Sequence, residues 1–230
     1  MIGALRKRLA SERGFTLVEL QMTILIGVVV FGAALGLTEV SGRVSQRTTD
    51  RVEASQRARV AMDRMVRQLR SQVCLDSQTY PIVSASDNSI TFYADYDDNP
   101  VYRPEKRTLT FDPAGAGKLT EERYQSTSPT GPPWTFPATP TRTFTLLTGV
   151  GRIGSTPIFR YFNPDGAQLA TPLDTATTSP LPSNSIARAS LVEVAFQTLP
   201  SSGNPDTTRR ADRDTRVYVR TSDTTGPVCG

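Results

Sequence analysis

The chain contains no histidine and two cysteines, Cys74 and Cys229. Without an imidazole there is no Ser-His or Cys-His nucleophile pair, because the group that takes the proton is missing. Zinc sites that use histidine are closed as well, and two thiolates cannot complete a four-thiolate site. Carboxylates alone remain for acid–base work, and they form no recognisable constellation, so neither catalysis nor a cofactor is expected. Gly149-Val150-Gly151-Arg152-Ile153-Gly154 matches the dinucleotide-binding glycine spacing literally. That motif must open a helix, whereas Ser155-Thr156-Pro157-Ile158-Phe159 points to a loop and another strand. A glycine-rich hairpin connection is the better reading. Gly115-Ala116-Gly117-Lys118 lacks the spacing and the Ser/Thr of a phosphate loop and reads as a turn. Asp95, Asp97 and Asp98, with Asn99, offer oxygen ligands that make them weak calcium candidates. EF-hand spacing and a later bidentate glutamate are missing, so a solvated hairpin loop competes with that reading.

One more carboxylate stands out by its surroundings. From Phe15 to Leu37 the only charge is Glu19, within a run dominated by leucine, isoleucine and valine. As a helix this run spans roughly 34 Å, enough to cross a hydrocarbon layer of about 30 Å. Arg6, Lys7, Arg8 and Arg13 precede it against the single acid Glu12, which predicts a cytoplasmic N-terminus with the rest of the chain outside. An ordinary secretory signal shares this pattern, but here the apolar run is longer and no small-x-small cleavage site follows it. A lone carboxylate in a membrane helix costs at least ~2.5–3.5 kcal/mol on insertion scales, so it calls for a partner. A tolerated carboxylate near the membrane edge is the bland alternative.

Gly14-Phe15-Thr16-Leu17-Val18-Glu19-Leu20, behind its short basic leader, resembles the class III signal of type IV pilins and type II secretion pseudopilins. The resemblance implies cleavage after Gly14 by a prepilin peptidase, N-methylation of Phe15, and retention of the apolar helix as anchor and filament core. It also implies that Glu19 pairs with the α-amino group of a neighbouring subunit's first residue during assembly.

The remaining elements must carry this segment and what it delivers. All 17 prolines of the 230-residue chain lie from Pro81 onward. The spacing predicts one helix from Phe15 to about Cys74, with Met62, Val66, Leu69 and Val73 forming an apolar stripe. Many major pilins have a proline in this helix, and its absence here departs from their pattern. Gly27, Gly32, Gly36 and Gly42 lower helix propensity and would permit close packing or local melting in a filament. Arg57, Arg59, Arg64, Arg67 and Arg70 read as a solvated face, with contacts to acidic neighbours or to DNA as alternatives. Asp50, Glu53 and Asp63 dilute that run for phosphate binding.

Beyond Pro81, short strands are predicted at Ser89–Ala94, Thr108–Phe111, Lys118–Tyr124, Thr143–Thr148, Pro157–Phe162, Ser190–Leu199 and Thr215–Thr221. Asn163-Pro164-Asp165-Gly166 reads as a tight turn. The segments 126–142, 171–184 and 200–214 read as loops. Arg209, Arg210, Arg213 and Arg216, interleaved with Asp206, Asp212 and Asp214, suggest a salt-bridged or disordered loop. Cys74 and Cys229 most simply pair outside the membrane, with free thiols or a link to another subunit as alternatives.

The expected architecture is α+β: a long N-terminal transmembrane and filament helix packed on an antiparallel sheet head with long loops. Its parts are a cleaved leader (1–14), a membrane helix (15–38), an exported continuation (39–75) and a β-rich head (76–230). The helix end, Met62 to Arg70, the strand running into the acidic turn from Ile90 to Asn99, and the late strand Val217-Tyr218-Val219-Arg220 resemble minor pilins of the PilW type and J-type pseudopilins. The resemblance implies a structural subunit that initiates or caps a type IV pilus or a secretion pseudopilus. Its partners would be other pilin or pseudopilin subunits, the prepilin peptidase and an inner-membrane assembly platform. It would sit in the cytoplasmic membrane by a single pass before entering a cell-surface or periplasmic filament. The alternative is a membrane-anchored binding module of a DNA-uptake or adhesion filament. Four of 26 basic and one of 22 acidic residues fall in the leader, leaving 22 against 21, or +1. The basicity is then mostly a topology signal, which weakens the nucleic-acid reading.

Overall fold

The structure, a computed structural model, describes residues 15–76, 79–95, 103–128, 131–175, 181–201, 210–219, 222–223, 226–227 and 229. The chain divides between Arg47 and Thr48 into two units, and helix α1, Leu17–Arg70, runs through that boundary. Thr16 fixes where α1 begins: its Oγ1 accepts the Glu19 backbone N–H at 3.2 Å. That is N-cap geometry, and Thr-x-x-Glu is the spacing of a capping box. The helix ends short of the expected Cys74 because the backbone finds other partners. The Val73 N–H donates to the Tyr93 carbonyl and the Asp95 N–H to the Ser71 carbonyl, each at 3.0 Å, while Gln72 bridges to Ala94. Residues 71–73 therefore extend a strand pairing.

In the first unit every described residue is exposed. The polar side chains Thr23 and Thr38 turn back onto the Leu20 and Ala34 carbonyls at 2.8 and 2.9 Å, which satisfies their hydroxyls inside the helix. Glycines 27, 32, 36 and 42 face open space within this chain.

The second unit is the head. Strands β1 (Ile82–Ala85), β2 (Ser89–Ala94), β3 (Glu105–Asp112), β4 (Lys118–Gln125) and β5 (Arg142–Thr148) form an antiparallel meander in sequence order. Strand β8 (Leu191–Thr198) centres a second sheet. It pairs with β6 (Val150–Gly151) and β7 (Phe159–Phe162) along one side and β9 (Ala211–Tyr218) along the other. A one-turn 3₁₀ helix spans Ile186–Arg188, and a small ribbon joins β10 (Ser222–Asp223) to β11 (Gly226–Pro227). One core joins the C-terminal part of α1 to both sheets, with Met65, Leu69, Ile90, Phe92, Leu109, Leu119, Phe159, Val194 and Phe196 inside. Each such side chain contributes about 1.5–3 kcal/mol through burial.

The helix face that packs here differs from the expected stripe. Its buried residues are Asp50, Ala54, Ala58, Ala61, Met62, Met65, Gln68 and Leu69. Alanines let the sheets approach closely, Val66 is only half-buried, and Val73 has left the helix. In the expected loop 200–214, Ala211–Asp214 are strand, paired with Ala195–Thr198, because Ala211 tucks inward while Asp212 and Asp214 face solvent. Strand β8 is buried on both faces. The turn at Asn163 forms as expected, its carbonyl accepting the Gly166 N–H at 3.0 Å.

Candidate functional site

The first candidate is the start of α1. Phe15 is 78% exposed, and large apolar residues remain exposed around the helix through Leu37. Among the described residues, this is one helix long and apolar enough to cross a membrane by length and composition. Such a surface is stable only when lipid or other helices cover it. Glu19 occupies the first turn, where the helix dipole favours a negative charge. Its backbone is committed to the Thr16 cap, and its carboxylate is exposed. The capping role of Thr16 was readable from the Thr-x-x-Glu spacing. Gly14 lies outside the described residues.

The second feature is a buried ion cluster that sequence reasoning did not single out. Arg107 is fully buried in β3. Its Nε and Nη2 donate to Glu105 Oε2 at 3.1 and 2.7 Å, and its Nη1 donates to Glu121 Oε1 at 3.1 Å. Glu121, on β4, also accepts from Arg123 at 2.7 Å and from Arg64 of α1 at 2.8 Å. Arg64 and Arg123 both lie over the Phe144 ring, at 5.2 and 5.0 Å from its centre. Burial alone would raise the Glu121 carboxyl. The Arg123 hydrogen bond, the adjacent Gln68 amide and the charges of Arg123 and Arg64 overcome this and hold it below its ordinary value. Gln68 exerts that influence by proximity, since neither of its amide atoms closes a hydrogen bond of normal geometry. Burial pushes the Arg107 guanidinium down, with its two glutamates opposing. The signal that could have revealed the cluster is i, i+2 spacing: Glu105/Arg107 and Glu121/Arg123 each place two charges on one strand face.

The arginines of α1 therefore divide. Arg59, Arg67 and Arg70 face solvent as expected. Arg64 enters the ion cluster, and Arg57 donates to the Thr148 carbonyl and hydroxyl at 3.0 and 3.1 Å. These two work as ties between helix and sheet. A smaller ion group holds Glu193 of β8 between Arg160 and Arg216. Arg213 bonds Ser55 of α1 at 2.5 Å, and Arg210 bonds Gln197 at 3.3 Å. Arg210, Arg213 and Arg216 are thus engaged with the fold, whereas Asp206 and Arg209 lie outside the described residues.

Cys74 and Cys229 form a disulfide across 155 positions, with Cα atoms 5.6 Å apart. It fastens the chain's end to the segment just after α1. Asp95 gives its backbone N–H to Ser71, while Asp97 and Asp98 lie outside the described residues. Among the described residues no cluster of three potential metal ligands is present. The glycine-rich run at 149–154 feeds β6 and then turns, with positive φ at Gly149 and Gly154, and no helix opens there. Gly117 has φ +74°, and its carbonyl accepts the Gly149 and Val150 N–H groups at 2.9 and 3.2 Å. The two glycine-rich loops are structural partners.

Comparison with known proteins finds no family model, no curated protein and no solved structure that matches this chain.

Proposed function

We propose that this chain is a pilin-like structural subunit, a minor pilin or pseudopilin that initiates or caps a filament, and that it catalyses no reaction. The observation that carries the reading is the exposed apolar helix that bears a single carboxylate in its first turn and leads into a disulfide-closed head. Such a helix needs lipid before assembly and neighbouring helices after it. Cleavage after Gly14 would create, at Phe15, a new amine able to pair with Glu19 of an adjacent subunit. The prepilin peptidase and an inner-membrane assembly platform are then the expected partners. The head would face the extracytoplasmic side, where a disulfide persists.

The test separates the two roles available to the first turn. Glu19→Ala removes the charge, whereas Thr16→Ala removes the cap and leaves the charge in place. In cells producing the filament, Glu19→Ala should be processed normally yet be missing from sheared filaments, while Thr16→Ala still enters them. Normal incorporation of Glu19→Ala would defeat the pairing mechanism.

A further inference from the structure

Among the described residues, the head has two long strands with no partner along their outer edge, and they are treated differently. Strand β9 carries Asp212, Arg213, Asp214 and Arg216, the kind of charge that discourages further pairing. Strand β5 ends the five-stranded sheet, and among the described residues β4 is its one strand partner. From Thr143 to Thr148 it has no charge and no proline, and Thr143, Thr145 and Thr148 are exposed. The register shift opposite Leu119/Thr120 places a bulge at Leu146, which re-aims that side chain. Regular pairing is thus offered along Arg142–Thr145. Beside it, residues 145–148 and Gln56, Arg57 and Val60 of α1 enclose a groove of about 450 Å³. Val60 is 71% exposed there, an apolar side chain with room beside it.

The charges at the two ends of this edge are both positive. Arg57 spends its hydrogen bonds on the Thr148 and Leu199 carbonyls and the Thr148 hydroxyl. Arg142 is exposed at the start of the strand. Among the described residues neither has a carboxylate partner, in contrast to Arg64 and Arg123. Glu122, the neighbouring acid across from Thr143, is engaged by the Tyr124 hydroxyl at 2.8 Å.

We propose that the outer edge of β5 accepts an extended segment of a partner protein as an added strand. That segment is uncharged and apolar in its middle, with an acidic residue near each end to meet Arg57 and Arg142. Backbone pairing along the edge supplies the attachment, an apolar side chain enters the groove, and the two cations set the position.

The experiment uses the full chain in detergent micelles. The probe is a labelled seven-residue peptide of alternating valine and threonine with an aspartate at each end; its counterpart carries lysines instead. Fluorescence anisotropy should show binding of the aspartate peptide, weakening with salt, and little binding of the lysine peptide. Arg57→Gln and Arg142→Gln should each weaken it by up to about fivefold, and amide exchange should slow at residues 142–145. Equal binding of both peptides, or binding without protection of those amides, would overturn the proposal. So would concentration-dependent dimerisation that protects the same amides, because the edge would then serve a second copy of this chain.

Discussion

Replacing Arg107 by methionine removes the one cation, among the described residues, that pairs with both Glu105 and Glu121. The wild-type side chain is fully buried and satisfies two carboxylates that are themselves 5% and 0% exposed. Methionine fills much of the volume, so the main loss is electrostatic. Breaking a buried pair by deleting one partner costs about 3–5 kcal/mol, which in a domain of this size lowers Tm by roughly 6–20 °C. The pH dependence identifies the cause. Glu121 is held below its ordinary value in the fold, so its contribution is present above the unfolded carboxyl value and is lost as pH falls through the folded one. In Arg107→Met, Glu121 keeps Arg64 and Arg123 but loses its third cation, so less of this acid-sensitive stability is left to lose. The gap between wild type and variant should therefore be wide at pH 7 and narrow towards pH 4. Thermal unfolding of both proteins, followed by circular dichroism across that range, measures it. A gap that is small at pH 7, or equal at both pH values, would show that Arg107 acts by packing alone.

Three further outcomes follow from the same geometry. Opening the Cys74–Cys229 disulfide releases a loop of 155 positions, worth up to about 5 kcal/mol in the chain-entropy treatment. The Cys74→Ser/Cys229→Ser protein should melt well below wild type under oxidising conditions and match it under reductant. Gly117→Ala should destabilise far more than Gly115→Ala. Both have positive φ, but a Cβ at Gly117 would lie 1.9 Å from the Val150 carbonyl oxygen, while at Gly115 it meets open space. Gly32→Ala clashes with nothing in this chain and raises helix propensity by about 1 kcal/mol. The single chain should stay helical in micelles, and impaired filament entry, measured on sheared filaments, would locate close helix packing at that glycine.

The parts of the fold legible in the sequence are those where side-chain type and burial agree. Strand β2 runs from Ser89 to Ala94 as expected because Ile90, Phe92 and Ala94 alternate inward. The apolar helix and the cysteine pairing were legible for similar reasons, namely an unbroken composition and two thiols with few alternatives. Misreadings occurred where charge or small size concealed burial. Ala54, Ala58 and Ala61 line the core face of α1, yet alanine gives little hydrophobic signal. Ala211–Asp214 resembled a loop because its outward aspartates dominate the composition. Strand β1, Ile82–Ala85, is four residues long, too short for periodicity to register. The Glu105–Arg107–Glu121 cluster reverses the usual inward-apolar pattern, so it became visible only once β3 and β4 were in register. At the candidate site, Glu19 was legible as a charge out of place, while the Thr16 cap that holds its backbone was not singled out.

The central claim is that the apolar helix survives as the mature N-terminus and is not discarded as a signal. Intact-mass and N-terminal sequencing mass spectrometry on the chain recovered from membranes tests this directly. The account predicts a protein that begins at Phe15, carries one added methyl group on its α-amino nitrogen, and retains the whole of α1. A chain that begins beyond Leu37, with the apolar run removed, would contradict it.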